Sequence, residues 1–380
     1  MEHLQWIFLR HDGRRRLAMT LLFLSHLLTV SYAQSADSVR SEKSWRFTEW
    51  LRKTIDGFTY IDTNYVEPQH YDWSVMAQAT YNYDYYRLSS IGDNRQSVAF
   101  SPRGGLKVGP YFGWRWVFLG YTVDLSSTGA DTRSGWKGFD LSVYSAQVGA
   151  DLYYRHTRNN YRISDVNLGE GIDTRALEGL PFEGISVGIT GFNIYYIFNH
   201  QRFSYPAAFA QSTCQKISCG SWMAGIGYLN NSIDFDHAKL EQIVRERCGW
   251  QQVELDSGLM FNSVRYVDLN ASVGYAYNWV FARNWLLCAS LSLALAYKTT
   301  RGESATGEEQ GFSLDNFTTD GIGRFGIVYN NTRWCAGANA IIRAYNYSKS
   351  RFAANNIVGN INFYVGYNFG LRSQYKKKKL

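Results

Sequence analysis

Apolar and polar residues alternate one by one along most of the chain. The clearest run lies near the C-terminus. Ile357, Gly359, Ile361, Phe363, Val365, Tyr367 and Phe369 share one parity; Asn360, Asn362, Gly366 and Asn368 share the other, with Val358 and Tyr364 as its larger members. Residues two apart on an extended strand project to the same side, so this run predicts a strand with one greasy and one mostly small, polar face. A helix would mix the two sets around its circumference. The greasy face is about 13 residues long, more than the ~9–11 a tilted strand needs to cross a bilayer. It ends in aromatics, as membrane-interface girdles do. The last strand of a soluble sandwich would carry a similar pattern, but the pattern recurs along the chain and an export signal precedes it.

The first strand, about 72–85, sets Trp73, Val75, Ala77, Ala79, Tyr81, Tyr83 and Tyr85 against Asp72, Ser74, Gln78, Thr80, Asn82 and Asp84, with Met76 the exception. A carboxylate facing lipid is costly, so Asp84 assigns the even set to the lumen. Further strands are predicted at about 96–108, 114–124, 139–155, 161–166, 185–198, 217–229, 267–279, 287–297, 319–329, 334–347 and 357–370. Gly109-Pro110 reads as a turn between the second and third. In the fourth, the apolar parity shifts from Phe139, Leu141 and Val143 to Tyr144, Ala146, Val148, Ala150 and Leu152, which a β-bulge would produce. The result is an all-β, transmembrane, antiparallel up-and-down β-barrel of about twelve strands. Long connections alternate with short ones, as expected for external loops and periplasmic turns, and an even count puts both termini in the periplasm. The connection at 200–216, after the sixth strand, breaks the rule: it should be short and is long. Within the longest insertion, 232–262, Leu240, Ile243, Val244 and Cys248 fall on one side of a short helix over 237–247.

The N-terminus changes the picture from barrel to exported barrel. Arg10, Arg14, Arg15 and Arg16 precede an interrupted apolar stretch over 17–30, and Ser31-Tyr32-Ala33 supplies the small residues of a cleavage site. The expected organisation is a signal peptide at 1–33, a periplasmic lead-in at 34–68, the barrel at 69–371 and a basic tail at 372–380. In the lead-in, Trp45, Trp50, Leu51 and Ile55 share one side of a short helix, which acts as a plug or a tether. With 28 Tyr, 22 Phe, 12 Trp and 34 Gly but only 5 Pro, the composition suits strands. A mean hydropathy of −0.30 is compatible with a barrel, because only one side of each strand meets lipid. The signal segment and Lys376 to Lys379 contribute +2 and +4 of the net +7, leaving a body at +1. Such a body does not point to nucleic acid.

Candidate chemistry is sparse. Asp84, Arg103, Asp124, Asp140, Asp151, Arg155 and Arg343 lie on or near strands, where they fill the lumen as ion pairs or line a permeation path. Cys214 and Cys219 sit in the odd connection, and in an oxidising compartment a disulfide between them would tighten it; spacing alone leaves free thiols open. Cys288 and Cys335 read as packing residues. His70, His156 and His200 are expected at the periplasmic rim and His237 in an outer loop, without the spacing of a metal site or a hydrolytic triad. No cofactor and no enzymatic activity are expected.

Several stretches carry a family resemblance. Asp62-Thr63-Asn64-Tyr65-Val66, "SPRGGLKVGPYFGWRW" from Ser101, "FDLSVYS" from Phe139, "GADLYYR" from Gly149, "SYPAAF" from Ser204, "GYAYNWVFARNWLL" from Gly274 and "NNTRW" from Asn330 together span nearly all the mature chain. By these the chain resembles the domain-of-unknown-function 4421 family of Bacteroidetes outer-membrane-type proteins. The resemblance implies an exported, Gram-negative β-barrel, with no catalytic or ligand-binding residue to carry over. One departure is that Phe369, an aromatic of the kind that ends an assembly signal, is followed here by a basic tail. The expected location is the cell outer membrane, with outer-membrane lipid, lipopolysaccharide and the barrel-assembly machinery as partners and a small molecule as a possible ligand. The expected role is structural, surface-binding or restricted solute passage. Transport of an apolar small molecule, or a barrel-based lipid or peptide hydrolase, is the alternative.

Overall fold

The computed structural model describes residues 61–376 except 92–94, 103, 115–116, 121–122, 125–134, 159, 170–171, 249–254, 301–315 and 350–351. The signal peptide and the lead-in helix lie outside the described residues. In chain order the strands are β1 (Val66–Pro68), β2 (Tyr71–Ser90), β3 (Ser97–Pro102), β4 (Leu106–Trp114), β5 (Val117–Gly120), β6 (Val123–Asp124), β7 (Gly135–Tyr144), β8 (Val148–Arg158), β9 (Tyr161–Asn167), β10 (Pro181–Phe182), β11 (Ile185–Ile197), β12 (Thr213–Gln215), β13 (Cys219–Phe235), β14 (Ser263–Ala282), β15 (Trp285–Thr300), β16 (Phe317–Asn330), β17 (Trp334–Lys349) and β18 (Phe352–Leu371). Two helices interrupt them, α1 (Tyr205–Phe209) and α2 (His237–Cys248).

All strands except β1 and β12 join one 16-stranded sheet, and every described ladder in it is antiparallel. β3 and β4 lie end to end along β2, and β5 and β6 end to end along β4. Counting each such pair as one stave, and setting aside β9 and β10, leaves twelve staves running alternately in opposite directions. The last stave pairs with the first over nearly its whole length, from Phe352↔Ser90 to Leu371↔Tyr71. The sheet is curled into an up-and-down β-barrel: Tyr153 of β8 reaches across to Tyr345 of β17 at 2.8 Å, and Arg155 of β8 meets Asp84 of β2. The described ladders end at β5 and β6 on one side and at β7 on the other. Among the described residues no helix is long and apolar enough to cross a membrane.

The alternation decides which face looks out. In β2 the even residues from Ser74 are turned in, while Trp73, Val75, Tyr81 and Tyr83 are exposed. In β15 Leu287, Leu291, Leu293 and Leu295 point outward, and Cys288, Ser290, Ala294 and Ala296 inward. Trp222, Ile226 and Leu291 are each 60% exposed or more. Soluble monomers rarely show a contiguous apolar patch above a few hundred Å². A band of this kind around the wall is the lipid-facing surface of a membrane barrel. A sandwich would have turned the same residues toward each other.

Two strand assignments differ from the sequence reading. The parity shift near Tyr144 is not a bulge: the chain reverses at Ser145, whose Oγ accepts from the Val148 N–H at 2.9 Å, so the predicted fourth strand is the β7–β8 hairpin. A tight turn and a bulge both flip parity, and alternation alone does not separate them. β9, expected as the next wall strand, instead pairs with β3 and β10. Gly109-Pro110 is not a turn either. β4 runs through it along β2, and Pro110 falls between the ladders to β5 and β6, where its missing N–H breaks no described bond. The two errors offset, so the count of twelve stands. The short insertion helix is present as α2; the Asp236 carboxylate accepts from the Lys239 N–H at 3.0 Å in its first turn, and Leu240 and Val244 are buried.

Candidate functional site

Both termini of the wall lie at one end, here the termini end; β8, β13 and β17 run away from it toward the loop end. The inward residues change character between the two. At the loop end Tyr86, Leu88, Phe100, Ile163, Phe182, Leu229, Ile233, Phe235 and Tyr266 form one buried apolar cluster, which also takes in Leu240 and Val244 of α2. Among the described residues this region is packed with side chains.

Nearer the middle lies a layer of buried charge. Arg155 pairs with Asp84, and Arg324 with Asp151, which also accepts from Ser142 Oγ at 2.6 Å. Lys298 Nζ stands 3.0 Å from Asp320 and 3.1 Å from Asp268, and donates to the Asn346 carbonyl at 2.6 Å. The guanidinium of Arg343 lies 4.8 Å from the centroid of the Tyr153 ring. These four carboxylates and four cations are all at most 3% exposed, so the layer is electrically balanced. A dry pair gains only when each charge is met and hydrogen-bonded.

At the termini end the long connection after β11 is folded into the lumen. It forms a plug of α1 and β12. Ser204 caps α1, accepting from the Ala207 N–H at 3.3 Å, and Pro206 sits in its first turn, where no amide is needed. Phe203, Tyr205, Ala207 and Ala208 are buried against the wall. The wall makes room with small inward residues, Ala276, Cys288 and Gly326; at Gly326 a Cβ would be in ordinary contact with the Ala208 carbonyl oxygen, at 3.5 Å. Wall side chains then hold the plug backbone. Asn278 Nδ2 donates to the Ser204 carbonyl at 2.8 Å, and Asn330 Nδ2 to the Gln211 carbonyl at 3.2 Å. Tyr205 Oη donates to Ser290 Oγ at 3.0 Å, and Gln211 Nε2 to Tyr364 Oη at 2.8 Å. Gln211 holds a positive φ of 52°, unusual for a residue other than glycine.

The segment before the barrel is strapped to this plug. β1 pairs with β12 from Val66↔Gln215 to Pro68↔Thr213, Lys216 N donates to the Tyr65 carbonyl at 2.7 Å, and Asp62 N to the Gln201 carbonyl at 2.8 Å. Gln215 ties the assembly together, donating to the Arg202 carbonyl at 2.7 Å and accepting from Ser204 N at 2.8 Å.

Two cavities flank the plug. One, of about 600 Å³, opens at the termini end among Asp72, Ser145, His200, Ser212 and Arg372. The other, of about 560 Å³, lies farther in, between the plug and β2, β4, β7, β17 and β18. Tyr144 lines both, and its ring packs 5.8 Å from Tyr205 and 6.0 Å from Phe209. The inner cavity carries a ladder of amides and hydroxyls. Asn362 Oδ1 accepts from Gln78 Nε2 at 3.1 Å and Thr80 Oγ1 at 2.7 Å, while its Nδ2 donates to Asn339 at 2.8 Å and Asn360 at 3.3 Å.

Of the charges singled out in the sequence, Asp84, Asp151, Arg155 and Arg343 lie in the buried layer. Asp124 and Asp140 are placed in β6 and β7 by backbone only, and Arg103 lies outside the described residues. Asp268, Lys298, Asp320 and Arg324 were missed. Their signal was available, since each shares the inward parity of its strand. Of the two states the sequence left open for Cys214 and Cys219, the structure has free thiols and no disulfide. Cys214 is committed to β12, with its Sγ 3.5 Å from the Asn330 carbonyl, whereas Cys219 begins the wall strand β13 and its Sγ accepts from Asn199 Nδ2 at 3.2 Å. Burial, and secondarily the Glu67 carboxylate, push the Cys214 thiol up to about 12. His70 pairs with Glu67 at 3.2 Å near the termini end, but His156 stands at the loop end of β8 because the β7–β8 reversal moved it there. No group of three metal-ligating side chains occurs among the described residues.

The model of a family described as a domain of unknown function (DUF4421) matches residues 60–369, so the chain belongs to that family. No curated protein matches it. Among solved structures it is similar to the outer membrane protease OmpT from Escherichia coli, at 7% identity over 78% of this chain and 97% of that one, with a TM-score of 0.35. It is also similar to the translocator domain of autotransporter NalP from Neisseria meningitidis, at 10% identity over 86% and 96% with a TM-score of 0.27. The P. putida toluene transporter TodX follows at 7% identity over 79% and 91%, with a TM-score of 0.22. At these scores the likenesses say nothing of activity.

Proposed function

We propose that this member of the DUF4421 family is a plugged barrel of the outer membrane that binds small solutes in its lumen and passes them only in a restricted way. The observation that carries the reading is the plug: the one long connection at the termini end is spent on filling the lumen and is held there by wall side chains from β14, β15, β16 and β18. With an exported chain and an even number of staves, the plug faces the periplasm, and α2 and the apolar cluster face outward. The greasy band contacts outer-membrane lipid, with lipopolysaccharide in the outer leaflet, and β18 with its aromatic end is the segment offered to the assembly machinery. The role is binding and passage rather than catalysis, since the buried carboxylates are taken up by cations rather than left facing a cavity.

Planar-bilayer conductance tests this reading. The full chain is expected to give no steady open-channel steps; because the loop-end core also closes the lumen, steps are expected only from a variant that replaces 199–216 with a short Gly/Ser turn and also cuts that core back with Leu88→Ala, Leu229→Ala and Phe235→Ala. Steady steps from the full chain would overturn the plugged barrel. Steady steps from a folded variant with the core cut back and 199–216 intact would show that the plug does not close its end of the lumen.

A further inference from the structure

We infer that the inner cavity is a binding site for a neutral, multiply hydroxylated small molecule of the size of a disaccharide. The inference rests on the plugged-barrel reading and names the solute class. A volume of about 560 Å³ lies within the ~300–1,000 Å³ of small-molecule sites. Its character follows from where the chain put its charges. Asp84, Asp151, Asp268 and Asp320 are consumed by Arg155, Arg324 and Lys298 in the layer beyond it. Among the described lining residues the one Lys or Arg is Lys107, which the strand register sets opposite Asp124. An anion would need converging cations, and a cation would need carboxylates; the described lining supplies neither set. An apolar guest would cover the Asn82 amide and the Tyr111 hydroxyl, which bond to no other described residue, without giving them a partner, which is unfavourable.

The remaining class matches both sides of the cavity. Gln78, Thr80, Asn339, Asn360 and Asn362 present amides and hydroxyls that donate and accept, as a polyol's hydroxyls require. The Asn82 amide and the Tyr111 hydroxyl line the same space and make no hydrogen bond to other described residues, so they are available to a guest. Tyr144 of β7 and Phe209 of the plug, with Tyr364 beside the ladder on β18, offer aromatic surface on which the C–H face of a sugar ring can lie. The plug contributes Phe209 and Gln211 to this wall, so it both closes the lumen and completes the site.

The test uses the full mature chain folded in lauryldimethylamine oxide micelles, titrated by calorimetry with maltose, sucrose and trehalose, and separately with glucose 6-phosphate and decanol. At least one neutral disaccharide is expected to bind saturably in the millimolar range. Asn362→Leu is expected to weaken that binding about tenfold or more. Because Asn362 also joins wall strands, Asn82→Leu is measured beside it and is expected to weaken binding severalfold with unchanged heat-modifiable mobility. The inference is overturned if none of the three disaccharides binds, if binding survives both variants, or if glucose 6-phosphate or decanol binds in their place. A preparation that is silent in the bilayer yet binds no disaccharide sinks only the solute class; one that conducts steadily sinks the plugged barrel itself.

Discussion

The two ends of the lumen are built on the same twelve staves with the same in–out parity, yet they are filled by opposite means. At the loop end the wall itself supplies large inward residues such as Tyr86, Leu88, Leu229 and Tyr266, and the barrel closes on its own side chains. At the termini end small or polar inward positions such as Ala276, Asn278, Ser290, Gly326 and Asn362 stand among larger ones such as Tyr195, Leu286 and Tyr364, and a separate segment is brought in to fill the space they leave. The filling at one end is therefore supplied by the wall strands themselves, whereas at the other it is a separate segment seated by buried apolar side chains and hydrogen bonds. The buried charge layer separates the two. What this teaches is that a barrel of this size is neither inherently open nor inherently filled; the size of its inward residues decides, stave by stave.

The sharpest way to break the comparison is at the boundary layer. Asp151→Leu leaves Arg324 buried and unpaired and is expected to cost ~3–5 kcal/mol in urea unfolding, while the double variant Asp151→Leu/Arg324→Met recovers most of it. At the loop end, Leu229→Ala removes a fully buried side chain and is expected to cost about 3 kcal/mol of global stability in the same measurement, with the bilayer trace still silent. At the termini end, Asn278→Leu deprives the Ser204 carbonyl of its donor. It is expected to lower the protection of amides at 199–216 by ~1–2 kcal/mol in hydrogen exchange and to leave the global midpoint nearly unchanged. Equal global losses at both ends would abolish the distinction between a built-in and an inserted filling.

Finer effects sharpen it further. The Cys214 thiol, pushed up to about 12, is expected to resist iodoacetamide at pH 8 in the seated plug and to react faster in Asn278→Leu. Because its folded pKa lies above the ordinary thiol value, the folded state holds the proton longer. The plug's stability is then full below about pH 8.5 and declines as pH rises from there toward the folded value. Smallest is the surface pair at the loop end. The Arg175 guanidinium holds the exposed Asp173 carboxyl down at about 2, so what the pair contributes is present above the ordinary carboxyl range and lost only as pH falls toward 2. Asp173→Asn is expected to leave the unfolding midpoint at pH 7 within error.

Legibility in the sequence followed the range of the interactions. Alternation is local, so the outward set of β2, β15 and β18 and the lumen placement of Asp84 were readable residue by residue. The β7–β8 reversal was not, because Ser145-Ala146-Gln147 lacks the Gly or Asn that usually announces a tight turn. The buried ion pairs were half readable: parity turns Asp151 and Arg324 inward, but a separation of 173 positions says nothing of their meeting. The odd length of the connection after β11 was plain, and its purpose was not. The apolar "SYPAAF" run reads as an unremarkable loop until the small residues Ala276 and Gly326, fifty positions apart on the two staves that flank β15, are brought around it.

The order of residues alone determined that this chain makes amphiphilic antiparallel strands of membrane-crossing length and which side of most of them meets lipid, because a strand's two faces are set by a period of two that needs no partner. Only the tertiary structure decided what occupies the interior. Pairing of Asp151 with Arg324, the seating of α1, and the meeting of Gln78 and Thr80 with Asn362 all depend on closing the sheet, and each draws on residues separated by tens to hundreds of positions.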